Sequence, residues 1–201
     1  MRNMNWGGYR TAAWVGVGLL AVAIIVVAMQ RDWIAAVTLA VFMGVSIVFI
    51  VRERQLPTLF DLVFVIAALI NAGGWAWNLF DTVGPYDEIA HFFTLFAITL
   101  SLGFLFYNEV MRGFYSHRIM FVFTITSMGI ALGALWEVAE WLSDFVIPME
   151  IIPGLDDTIT DMMLDSGGAL LAALVNLWGL NERARAERKA ERQAGVGEAA
   201  A

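Results

Sequence analysis

Six stretches of roughly 20 apolar residues, separated by short polar turns, constrain this chain more than any other feature of its sequence. Each is long enough to cross about 30 Å of hydrocarbon as an α-helix that rises 1.5 Å per residue. They fall at 11–29, 33–51, 59–79, 87–107, 119–142 and 158–178. In lipid a spanning segment must satisfy its own backbone hydrogen bonds. The expected fold is therefore all-α, a polytopic bundle of six transmembrane helices over residues 1–180. The connections are too short to hold a soluble domain, and the only extended polar segment is the charged tail 181–201. A composition that is 60% hydrophobic and 15% charged agrees with this assignment. The first stretch has the length of a span rather than of a signal peptide, and no small-residue cleavage site follows it, the next residues being Gln30, Arg31, Asp32 and Trp33.

Charge sets the expected orientation, because Lys and Arg near span ends are retained in the cytoplasm. With the N-terminus inside, Arg2, Arg10, Arg52, Arg54, Arg112, Arg118, Arg183, Arg185, Arg188, Lys189 and Arg192 are all cytoplasmic, and Arg31 is the exception. An even number of spans then places both termini in the cytoplasm, with outer loops near Arg31, Gly84 and Ile151, in a multi-pass protein of the cytoplasmic (inner) membrane. Most of the 19 acidic residues gather on the opposite side, among them Asp32, Asp81, Asp87, Glu88, Glu137, Glu140, Asp144, Glu150, Asp156, Asp157, Asp161 and Asp165. The net charge of −7 is thus an outward-facing anionic concentration and gives no sign of nucleic-acid binding. The chain has no cysteine, which excludes disulfides and thiolate ligands and limits a metal site to oxygen and nitrogen.

Three of the expected spans carry ionisable residues past the interface, all at their outer ends. Span four brings Asp87 and His91, span five Glu137 and Glu140, and span six Asp157, Asp161 and Asp165. Spacings of three and four put each set on one helix face, and the rise per residue puts the three sets at a similar depth. Charged side chains inside a span cost about 2.5–3.5 kcal/mol each on an insertion scale and usually face a cavity or one another. Neutralisation must come from His91, from protons or from a metal ion. Asp87, His91, Glu137, Glu140, Asp161 and Asp165 are the expected metal ligands, suited to Mg²⁺, Mn²⁺, Zn²⁺ or Fe²⁺, with His91 and Glu137 as candidate proton carriers. No organic cofactor is implied.

Plainer roles compete for some of these residues. Asp87, Glu88, Asp156 and Asp157 sit at expected helix starts, where carboxylates cap and complement the dipole, and Pro153 and Gly154 mark a loop-to-helix boundary. Glu140 has the reach to meet the headgroup layer. Asn71 and Asn78, seven apart, share a face of span three and either line the same cavity or join helices. Gly129 and Gly133 favour close packing of span five, and Trp75, Trp77, Trp136 and Trp141 fit an outer aromatic belt. His117 falls in a cytoplasmic loop. The tail reads as a frayed helix near anionic headgroups.

The segment Tyr86-Asp87-Glu88-Ile89-Ala90-His91-Phe92, the pair Glu137 and Glu140 with Trp141 behind it, and Asp157, Asp161 and Asp165 followed by Gly167 and Gly168 resemble the YjdF-type inner-membrane proteins. Their order is also similar to the VanZ-like family, which is associated with glycopeptide tolerance; there Gln stands where this chain has Glu140, and Asn where it has Asp165. The resemblance covers mainly residues 86–170 and implies a shared site, not a reaction. The signatures of phosphatidyltransferases and of basic-pocket lipid phosphatases are lacking. Three functions fit the pattern: a metal-dependent enzyme acting on a lipid-linked or envelope substrate, a cation or proton transporter, and a non-catalytic membrane component with a structural cation.

Overall fold

A computed structural model of the chain describes residues 7–51, 58–109, 117–146 and 154–199. Arg2, Arg52, Arg54, Arg112, Glu150 and Pro153, and the loop centre at Ile151, lie outside the described residues. The described chain is helical and contains no strand: α1 (Gly7–Met29), α2 (Trp33–Val51), α3 (Thr58–Trp77), the short α4 (Leu79–Thr82), α5 (Tyr86–Glu109), α6 (Arg118–Asp144) and α7 (Leu155–Ala199). Five of these, α1, α2, α3, α6 and α7, are long and apolar enough to cross a membrane. The 24-residue α5 also has the length to span, and it carries Asp87, Glu88 and His91 in its first two turns.

Local chemistry explains the boundaries. The α1 helix ends with Arg31 in the left-handed region at φ 66°. There Asp32 N–H reaches Val27 O at 3.0 Å and Arg31 N–H reaches Ala28 O at 3.1 Å, a Schellman closure. Asp32 then caps α2 by accepting from Ala35 N–H at 3.0 Å. The expected third span runs to 79, but α3 stops at Trp77 because Asn78 takes φ 55°. Asn enters that region more readily than most residues. Asn78 is therefore exposed in a break between helices and does not share a cavity with Asn71, which is buried. The last helix continues well past the expected end at 178, without interruption through 199.

The helices form two groups. In the first, α1 and α3 run parallel, with α2 antiparallel beside them; Arg10 Nη2 at the start of α1 donates to Ile50 O at the end of α2 at 2.6 Å, and Gln30 Nε2 at the end of α1 donates to Ala76 O at 3.2 Å. Leu20, Ala23, Val27, Leu39, Ala68 and Ala72 fill the core between these helices. In the second group α5 and α7 run parallel and share the most extensive helix contact among the described residues, with α6 antiparallel along α7. Phe121, Ile125 and Ala173 are the buried seam of α6 and α7.

The groups meet where α3 packs on α5. Asn71 Nδ2 donates to Thr94 Oγ1 at 2.7 Å, both residues being buried, and Tyr86 Oη donates to Ile70 O at 2.7 Å. Side-chain hydrogen bonds between membrane helices contribute about 0.6 kcal/mol on average. A double-mutant cycle of Asn71→Ala and Thr94→Ala, read by unfolding in detergent micelles, is expected to give a coupling of about that size. A coupling near zero would show that the Asn71–Thr94 hydrogen bond does not help to hold α3 on α5.

Candidate metal centre

The first turns of α5 and α7 and the last turns of α6 come together at one end of the second helix group, and they bring the acidic residues with them. His91 is the middle of the assembly and is 6% exposed. Its Nδ1 lies 3.3 Å from Asp165 Oδ1 and 3.7 Å from Glu137 Oε1, while its Nε2 lies 3.8 Å from Asp87 Oδ1, one helical turn away on the same helix. The two ring nitrogens thus face carboxylates from three different helices. Glu137, Asp161 and Asp165 are buried along with His91, whereas the Asp87 side chain is 38% exposed and opens the cluster to its surroundings at the start of α5.

Two sets of side chains place one ligand atom each within 4.8 Å of one another: Asp87, His91 and Asp161, and His91, Glu137 and Glu140. Either arrangement supplies one imidazole nitrogen and two carboxylate oxygens, a three-ligand donor set of a kind suited to Mn²⁺, Fe²⁺ or Zn²⁺. The cluster also carries carboxylate oxygens that its own donors do not satisfy. Glu137 Oε1 and Asp165 Oδ2 are buried and accept no hydrogen bond, and an unsatisfied buried carboxylate oxygen is costly.

Close helix approach shapes the site from behind. At Gly168 a β-carbon would run into the backbone carbonyl of Phe92 on α5, and at Gly133 it would run into the Asp165 carboxylate. The absence of a side chain at Gly133, one turn from Glu137, is what lets Asp165 lie against α6. Neither glycine stood out as part of the site by charge; their signal was the small residue one turn from an acid.

The six sequence-derived ligands all lie at this end of α5–α7, but not on equal terms. Asp87, His91, Glu137, Glu140 and Asp161 fall into the two ligand sets, and Asp165 meets His91 through a hydrogen bond. Glu140 does not extend away toward headgroups as an isolated carboxylate: its Oε1 accepts from Trp136 Nε1–H at 2.7 Å. Trp136 is half-buried and its ring lies 6.5 Å from that of Phe42 on α2. Trp75 is likewise turned inward, onto the core between α1 and α3. Trp77 and Trp141 are the exposed pair of the four expected belt residues. Asp156 is exposed and Asp157 half-buried in the first turn of α7, as helix-start acids are. Outside the cluster, Asp61 in the first turn of α3 is a buried carboxylate that no spacing in the sequence marks out, with Arg10 as a positive charge acting on it.

The sequence matches the family described as "Predicted membrane protein (DUF2238)" over residues 11–182, and the chain belongs to that family of membrane proteins. A relative in Thermotoga maritima, described as "Uncharacterized protein", is 30% identical over 101 residues, which is 49% of this chain and 50% of the relative. The chain thus spans about half the length of that curated relative in the match. No solved structure matches the chain.

Proposed function

We propose that the protein crosses the membrane six times with both termini in the cytoplasm, α5 being the sixth spanning helix, and that it holds a divalent cation at the extracytoplasmic ends of α5, α6 and α7. The likeness of the cluster to YjdF-type and VanZ-like proteins agrees with a site at this position. The observation that carries the reading is the burial of His91 among carboxylates from three helices. A divalent ion would neutralise this charge, and the half-open Asp87 gives it an entry.

Such an ion, with positions free for water and substrate, polarises a phosphoryl or carbonyl oxygen and lowers the pKa of bound water toward 7. Placed at the membrane surface, it fits an enzyme acting on a lipid-linked or envelope substrate, with Glu137 or His91 moving the proton. Purified protein loaded with Mn²⁺ or Zn²⁺ is expected to turn over a lipid-linked phosphate or carbonyl substrate and to lose this activity reversibly to a chelator. Fully loaded protein that leaves a broad set of such lipids untouched would remove the enzymatic half of the proposal.

A second reading is supported by the helix origins of the ligands. An ion bound from α5 and α7, or from α5 and α6, also cross-links the bundle, so a purely structural cation fits the same residues. Under that reading the metal raises the unfolding temperature and no turnover accompanies it.

The orientation has its own test, because the chain contains no cysteine to remove. Gly84→Cys and Arg31→Cys are expected to react with a membrane-impermeant maleimide on intact cells, and His117→Cys only after permeabilisation. The opposite labelling pattern would put the cluster on the cytoplasmic side.

A further inference from the structure

The two ligand sets compete for one imidazole, and the surroundings of the ring favour one of them. His91 Nδ1 has a hydrogen-bond acceptor, Asp165 Oδ1 at 3.3 Å. His91 Nε2 lies 3.8 Å from Asp87 Oδ1, too far for a hydrogen bond. In a neutral imidazole one nitrogen carries the proton and the other offers its lone pair, so whichever nitrogen is engaged by an acceptor leaves the other for metal. Glu140, a member of the competing set, already has one oxygen taken up by Trp136 Nε1–H.

We infer that the cation is held by His91 Nε2 together with Asp87 and Asp161, and that Asp165 is not a ligand but a positioning residue that keeps the proton on Nδ1 and fixes the plane of the ring. This inference rests on the cation site proposed above and specifies its ligand atoms. Asp165 is suited to the role by its own immobility. It is 1% exposed, its Oδ2 is turned toward α6 where Gly133 leaves room, and it projects from α7, which packs tightly on α5 through Gly168. A carboxylate that orients a metal-bound histidine in this way usually contributes a factor of about 10–100 to metal affinity. The remaining acid, Glu137, lies on the Nδ1 side of the ring at 3.7 Å, outside the ligand set.

The experiment uses the full chain in detergent micelles with Zn²⁺ as the probe. The protein has two histidines, so a His117→Gln background leaves His91 as the sole source of imidazole ¹⁵N signals. On Zn²⁺ addition the Nε2 resonance is expected to shift while Nδ1 keeps its proton. Asp165→Ala should weaken Zn²⁺ binding about 10–100-fold and let the two tautomers mix. Asp165→Asn, which keeps an acceptor oxygen in the same shape, should restore the single tautomer and most of the affinity. Zinc on Nδ1, or unchanged affinity in Asp165→Ala, would overturn the inference while leaving the cation site standing. So would an Asp165→Asn variant that loses zinc as completely as Asp161→Asn, since Asp165 would then be a ligand. A wild-type protein that takes up no Zn²⁺ would overturn the inference and the cation site together.

Discussion

His91→Ala is expected to lower divalent-cation affinity by more than about 100-fold, beyond the usual effect of losing an orienting partner. His91 is the one residue common to both ligand sets, and it supplies the nitrogen that distinguishes this site from an all-oxygen site for Ca²⁺ or Mg²⁺. Its removal also leaves Asp87, Glu137, Asp161 and Asp165 facing one another with no imidazole between them, so the variant pays twice. Titration calorimetry with Zn²⁺ or Mn²⁺ on protein of verified helix content measures the effect. Affinity within a factor of about three of wild type would mean that the carboxylates alone hold the ion and that His91 serves a different purpose.

Gly168→Ala is expected to be the most damaging small substitution in the bundle, costing about 3 kcal/mol or more, at the upper end for overpacking. The added β-carbon would meet the Phe92 carbonyl oxygen, with the Phe96 amide nitrogen at 3.1 Å. Both are backbone atoms of a helix and cannot turn aside, so α5 and α7 would have to separate. That separation pulls His91 from Asp165, so cation affinity should fall with stability. Gly18→Ala and Gly44→Ala are the controls, because a β-carbon at either meets nothing within 4 Å; in those two, Ala should be neutral or slightly stabilising, as Ala is the better helix former. Thermal unfolding in micelles distinguishes the cases. Equal midpoints for all three variants would show that α5 and α7 do not approach as closely as described.

The helices were legible because lipid leaves a chain few options: a stretch of apolar residues of the right length has to be a helix. The starts of α2 and α6 and the end of α1 fall within one residue of their expected positions. The breaks were harder to see. Asn78 interrupts the third apolar stretch through a backbone dihedral, and hydropathy carries no information about dihedrals. The tail, expected as a frayed helix, continues α7 through 199, since polarity marks where a helix leaves lipid and not where it stops.

The site followed the same division. Spacings of three and four in Asp87 and His91, Glu137 and Glu140, and Asp161 and Asp165 fix which residues share a helix face, and the shared end of the three helices follows from their antiparallel order. How the faces rotate against each other does not follow from spacing. It depends on contacts such as Phe121, Ile125 and Ala173 between α6 and α7 and on the glycines that let α5, α6 and α7 approach. Hence the sequence could not tell that Asp165 meets Nδ1 of His91 rather than joining Asp161, or that Trp136 holds Glu140. The latter pair, four residues apart on one helix, is nonetheless a spacing that a reading for hydrogen bonds as well as charges would find.

The most direct measurement is elemental analysis of the detergent-purified protein beside an Asp87→Asn, Asp161→Asn double variant, each incubated with Mg²⁺, Mn²⁺, Zn²⁺ and Fe²⁺ and freed of excess ion. The double variant keeps the shapes of the side chains and removes two of the proposed charges, so its fold is expected to persist by circular dichroism. The account predicts about one equivalent of metal in the wild type and none in the folded variant. A wild type that retains none of the four ions would contradict it, and the carboxylates around His91 would then be neutralised by protons and by the imidazolium.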